Sequence, residues 1–184
     1  MHNVIDVANF FVDMACSREE GYITNLKVNK LLYYTQAWSV VRLGHPLFEE
    51  NIEAWTYGPV VPSVYNAFRK YKSNNISEVC GEYLPEKFSD EELQLLIDVQ
   101  REYGKYTAAT LVDMTHKKGS PWAQVYDGSK QIISIDSMKE YFSKEQPLGT
   151  YEAHDIENRE AVGYRDPNDG LLVLPREYDD EYAV

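Results

Sequence analysis

The sequence predicts a mainly α-helical fold: a compact helical domain with a small β-hairpin, followed by an acidic C-terminal extension. Three observations carry this. Apolar residues recur at helical spacing through most of the first 145 residues, with capping residues where the runs begin. The helical period stops once, around "HPLFEENIEAWTYGPVV", where prolines and alternating residues take over. Past residue 145 periodicity dissolves and acids accumulate. The expected division is residues 1–145 for the domain and 146–184 for the extension.

Val4, Val7, Ala8, Phe11, Met14 and Ala15 share one face of a first helix, with Asn3 as its N-cap and "SREEG" as its end, Gly21 acting as breaker. Thr24 caps the next helix. Its stripe of Leu31, Tyr34, Trp38 and Val41 is widened by Leu32 and Thr35, and so wide a stripe marks a central helix; Gly44 stands at the C-terminal cap. Then Pro46 and Glu50-Asn51 read as turn chemistry. Ile52, Ala54 and Thr56 alternate with Glu53, Trp55 and Tyr57, as in a short hairpin or extended corner. An isolated hairpin is marginal in water, so it must lie on the helices.

Pro62 suits the first turn of a third helix, with Val64, Tyr65, Phe68 and Tyr71 on its apolar face. Ser89 stands three residues before Glu92, the capping-box signature, and opens a fourth helix. Acids fill its first turn, and Arg101 and Lys105 lie near its end, matching the helix dipole. "TAATLVDMTHKKG" forms another short helix, with Ala108, Leu111, Val112 and Thr115 on one side and Gly119 and Pro121 as stops. "PWAQVY" is a helical turn and "DSMKEYFSK" a last short helix.

The chain is acidic, with a formal net charge of -12 over 184 residues. Nucleic-acid binding rests on neutralising phosphates, so this balance argues against a broad grip on DNA or RNA; the local cluster Arg69, Lys70 and Lys72 is the exception. It equally disfavours anionic membranes and favours basic protein surfaces. Residues 151–184 hold ten acids against three basic residues, so more than half of the excess charge lies in the last fifth of the chain. That tail also carries Tyr151, Tyr164, Tyr178, Tyr182 and the apolar run "GLLVLP", which a purely solvating tail would lack. The run suits strand addition, to its own domain or to a partner. No apolar stretch approaches a membrane span, and the amino terminus lacks a basic region and carries Asp6 and Asp13, unlike a signal peptide. Cys16 and Cys80 read as reduced thiols, and a cytoplasmic location is expected.

The chemistry-bearing residues are sparse. His2, His45, His116 and His154 show no ligand spacing, so neither metal nor cofactor is expected. No nucleophile elbow, phosphate loop or dinucleotide fingerprint occurs. Cys16, at the end of an apolar stripe, reads as core. His116 in "THKKGSPW" is the polar group to watch, with closure of a helix C-terminus favoured over catalysis. "WTYGPVVPSVYNAFRKY" admits three uses: a core corner turned by Gly58-Pro59, a docking surface of rigid aromatics, or a small-molecule pocket.

The segment "NKLLYYTQAWSVVRLGHPLFEENIEAWTYGPVVPSVYNAFRKY" resembles the signature of the Panacea antitoxin domain, the SocA-like, phage-associated family. The matching residues are Lys30 to Tyr34, Gln36, Trp38, Pro46 to Phe48, Ile52, Ala54, Trp55 and Tyr57 to Tyr65. "THKKGSPW", with Pro121 and Trp122, resembles a later segment of the same family, so the likeness spans about residues 24 to 143. "GKYTAATL" is only loosely like the family's middle helix, and the acidic tail lies outside the motifs. The resemblance implies a helical domain with a hairpin. It also implies an antitoxin that binds directly to a toxin encoded beside it, with no need of a catalytic site. A branch of the family implies the alternative of an adaptor that delivers its toxin to an ATP-dependent protease. A third reading is an enzyme with a pocket near His116. Candidate partner-binding residues are Trp55, Tyr57, Val60, Val61 and Tyr65 at the corner, with Tyr164 and Tyr178 in the extension. Gly58, Pro59, Pro62, Trp38, Pro121 and Trp122 are assigned structural roles.

Overall fold

A computed structural model describes residues 1–17 and 21–148, and the backbone of Tyr164–Arg165 and Leu172–Val173. The first helix, α1 (Val4–Cys16), starts where Asn3 accepts a hydrogen bond from the Ile5 amide. It ends at Cys16 with Ser17 as C-cap, before the expected stop. Cys16 is exposed, not core: it falls on the solvent side of the last turn, where its thiol donates to the Ile76 carbonyl at 3.7 Å.

Helix α2 (Asn25–Arg42) is capped by Thr24, whose hydroxyl accepts from the Lys27 amide. It is central in a stronger sense than its stripe implies. Every residue from Asn25 to Val40 except Lys27 is buried, the polar ones included. Leu43 closes the helix and Gly44 follows at φ +80°, the left-handed conformation that glycine tolerates.

The hairpin forms from β1 (Ile52–Trp55) and β2 (Gly58–Val60), antiparallel, with Trp55 opposite Gly58. The turn is therefore Thr56-Tyr57. Gly58 and Pro59 lie in the second strand rather than making the turn. A third strand, β3 (Gln131–Ile133), pairs with the other edge of β1, placing Ile132 opposite Glu53 and giving the order β2-β1-β3. Ile52, Ala54 and Ile133 face the main core, while Trp55 and Val60 gather with Tyr65 in a separate small cluster.

Pro62 opens α3 (Pro62–Phe68) at its first turn, and a short 3-10 turn (Arg69–Tyr71) continues it. Helix α4 (Asp90–Tyr103) carries the full Ser89/Glu92 capping box. Helix α5 (Ala108–Thr115) is capped by Thr107 and closed by His116. Gly119 and Pro121 lie beyond that end, and Pro121 starts α6 (Pro121–Val125). Helix α7 (Ile135–Phe142) follows β3 directly, capped by Ser134. Around α2 pack α1, α3, α4, α5, α7 and β2, so α2 is the common floor of the domain. Beyond it, β4 (Tyr164–Arg165) and β5 (Leu172–Val173) pair antiparallel with each other. The "GLLVLP" run thus supplies one strand of a two-stranded ladder.

Candidate functional site

The corner is built by polar side chains of α2 that reach its main chain. Asn25 Nδ2 donates to the Tyr65 carbonyl at 2.9 Å. Asn29 Oδ1 accepts the Val61 amide at 2.8 Å, while its Nδ2 donates back to Asn25 Oδ1 at 2.9 Å. Lys30 Nζ donates to the Pro59 carbonyl at 3.0 Å. One helical turn separates Asn25 from Asn29, so the three side chains project toward one stretch of backbone. A buried carbonyl or amide left without a partner costs about 1–3 kcal/mol, and these contacts prevent that at Pro59, Val61 and Tyr65. Two turns further along, Gln36 does the same for "PLF": its Nε2 donates to the Phe48 carbonyl at 2.7 Å and its Oε1 accepts the Leu47 amide at 2.8 Å.

Glycine is required at the centre of this latch. Gly58 has φ +94°, and a Cβ there would stand 2.6 Å from Thr115 Oγ1 and 2.9 Å from Lys30 Cε. From the far side, Trp122 Nε1 donates to the Trp55 carbonyl at 2.8 Å, fixing β1 to α6. Trp38 Nε1 donates to the Tyr103 hydroxyl at 2.9 Å, fixing α2 to α4.

The rings of the corner are buried and divide among three clusters. Trp55, Val60 and Tyr65 pack together; Tyr57 packs with Leu26, Ala108 and Val112; Val61 enters the main core. Trp55, the most exposed of these five corner residues, shows 8% of its surface. Its ring meets Tyr65 at 5.0 Å and is covered by Lys130 Nζ at 3.9 Å, a cation–π contact. Its indole nitrogen donates to Glu53 at 2.8 Å. On this sheet face the exposed apolar residue is Ile132, at 53%. Of the extension's candidates, Tyr164 lies in β4 opposite Val173; its side chain, and Tyr178 altogether, lie outside the described residues.

His116 closes α5, its amide bonded to the Val112 and Asp113 carbonyls. Its ring stacks on Trp122 at 3.7 Å, and Trp122 stacks in turn on Tyr126 at 4.4 Å. Burial, and next the nearby Lys30 charge, push its pKa down from 6.5 to about 4. Neither described cavity is lined by His116. Among the described residues no group of three His, Cys, Asp or Glu could hold a metal ion, and no helix is long and apolar enough to cross a membrane. Lys70 of the basic cluster is paired with Glu78 at 2.8 Å.

The polar latch was not anticipated from the sequence. Its signal is Asn25, Asn29, Lys30 and Gln36 set one to two turns apart inside a helix otherwise rich in large apolar residues. Lys30, Gln36 and the "PLF" and "YGPV" segments that they hold all lie within residues 28–123. Residues 28–123 match the family described as "Antitoxin SocA-like, Panacea domain", and the chain belongs to that family. Antitoxin SocA of Caulobacter vibrioides (strain NA1000 / CB15N) is 32% identical over 133 residues, covering 66% of this chain and 69% of that protein. No solved structure matches.

Proposed function

We propose that this protein is an antitoxin that neutralises a cognate toxin, encoded by the adjacent gene, by binding it directly. The observation that carries this is the family match over residues 28–123, which contain a corner that α2 holds by buried hydrogen bonds. A scaffold of buried hydrogen bonds keeps a protein-binding surface preorganised, which lowers the entropy lost on association. Trp55, Tyr57, Val60, Val61 and Tyr65 are the footing of that surface. Contact falls to the exposed residues set on it, Thr56, Lys130 and above all Ile132. The acidic extension, residues 146–184, is the second contact, drawn by charge to a basic toxin surface.

Co-expression with the product of the adjacent gene tests this. A stable complex and rescued growth are expected; no complex and no rescue overturn the reading. Faster loss of the partner in cells, dependent on an ATP-driven protease, replaces neutralisation with delivery. Deleting residues 147–184 should cost toxin binding while leaving the helical circular-dichroism spectrum intact. Full rescue by the truncated chain removes the extension from the interface.

A further inference from the structure

A small cleft of about 80 Å³ opens between α2, α4, α5 and α7, away from the corner. Its walls are aromatic. Tyr34 and Tyr103 stand ring to ring at 3.8 Å and 8°, and Phe142 meets Tyr34 edge-on at 5.9 Å. The two rings lie nearly parallel, so each covers one face of the other. Into this space faces Glu102, whose side chain is only 11% exposed. Its partner Lys105, at 3.1 Å, is 36% exposed, so an incoming cation competes with a partly exposed ion pair. A second carboxylate, Glu145, lines the mouth, opposed by the exposed Lys117.

We infer that this cavity receives a cationic side chain, an arginine or lysine presented by the bound protein. Ring faces carry the negative end of the aromatic quadrupole and attract a cation, most strongly where water is excluded. The Glu102 carboxylate adds a charge-assisted hydrogen bond. An anion would face the buried Glu102 carboxylate, and an apolar group would leave that carboxylate with Lys105 alone. The acidity of the whole chain draws basic surfaces toward it. The use of the cavity rests on the partner-binding reading above; its selectivity for a cation does not.

The full chain, carrying labelled methionine methyls, is titrated with N-acetylarginine amide and with its neutral isostere N-acetylcitrulline amide. Met114 lines the cavity and reports occupancy. The arginine derivative should shift the Met114 signal saturably, and the citrulline derivative should bind roughly tenfold more weakly. Glu102→Gln, which keeps the side-chain shape, should abolish that preference. Lys117→Gln, at an exposed position, should tighten arginine binding about twofold to threefold by removing a like charge. Equal responses to the two ligands, or no shift at Met114, overturn the inference. In the complex, a toxin that binds wild type and Glu102→Gln equally shows that the partner does not use the cavity. A chain that takes the arginine derivative but captures no toxin sinks the antitoxin reading alone.

Discussion

Lys30 Nζ lies 3.0 Å from the Pro59 carbonyl oxygen, and the lysine is wholly buried. A helix in the centre of the domain thus holds the backbone of the second hairpin strand from beneath. Replacing Lys30 by Met keeps the length and apolar character of the stem but removes the donor. The orphaned carbonyl should lower unfolding free energy by about 1–3 kcal/mol in a urea titration. Because the Lys30 charge also depresses His116, the same variant should move the His116 titration upward, seen in the pH dependence of its ring signals.

Gly58→Ala should be more damaging than any other glycine substitution at a left-handed position. The added methyl meets Thr115 Oγ1 and Lys30 Cε while the backbone sits at φ +94°. Strain and overpacking together should cost about 2–4 kcal/mol. Gly44→Ala separates the two effects: φ is +80° but nothing lies within 4 Å, so about 1 kcal/mol of conformational strain is expected alone. Equal losses at both sites would mean that the close approach at Gly58 is relieved at little cost.

Most of the helical frame was legible because its signals are local. Asn3, Thr24 and Ser89 start their helices through side-chain hydrogen bonds within one turn, and Pro62 through its fixed φ at the first position of its helix. Strand β3 was not legible. Three residues, Gln131 to Ile133, have too short a pattern to read, and their pairing with Ile52 to Ala54 spans nearly eighty positions of chain. The turn was misplaced at Gly58-Pro59 for a related reason. A Gly-Pro pair is ordinary turn chemistry, yet here the glycine answers to Lys30 and Thr115, which sequence proximity does not reveal. Apolar spacing likewise marked one stripe of α2 and was silent about Asn25, Asn29 and Gln36, whose partners are distant backbone groups.

Trp122→Phe isolates one hydrogen bond. Phenylalanine keeps a ring between His116 and Tyr126 but cannot donate to the Trp55 carbonyl, which the indole holds at 2.8 Å. The expected loss is about 1–3 kcal/mol, read as a lowered melting temperature with an unchanged far-ultraviolet spectrum. A variant as stable as wild type would mean that water or a neighbouring group satisfies that carbonyl.

His116 links stability to pH. Its pKa falls from 6.5 in the unfolded chain to about 4 in the folded one, chiefly through burial and secondarily through Lys30. Between those values the unfolded chain binds the proton and the folded chain does not. The stabilising contribution is therefore complete above pH 6.5, declines as pH falls toward 4, and is absent below. His116→Phe, which preserves a ring against Trp122, should flatten the stability profile across that window. If wild type and variant keep parallel profiles from pH 7 to pH 4, the histidine is not the group responsible.

The docking face is decided by a residue that folding does not need. Ile132 is 53% exposed on β3, opposite Glu53 and on the same sheet face as Trp55 and Val60. An exposed isoleucine contributes little to stability, so Ile132→Glu should change unfolding free energy by no more than about 0.5 kcal/mol. At the centre of an interface the same change buries a carboxylate against apolar surface, and toxin affinity should fall at least about tenfold. Trp55→Ala supplies the contrast. It empties a buried site and removes the support of Tyr65 and Lys130, so it should destabilise the fold by about 3–5 kcal/mol whatever the partner does. If Ile132→Glu binds toxin at wild-type strength while Trp55→Ala merely unfolds, the corner is scaffold alone. The interface must then be sought at the aromatic cavity and in the acidic extension.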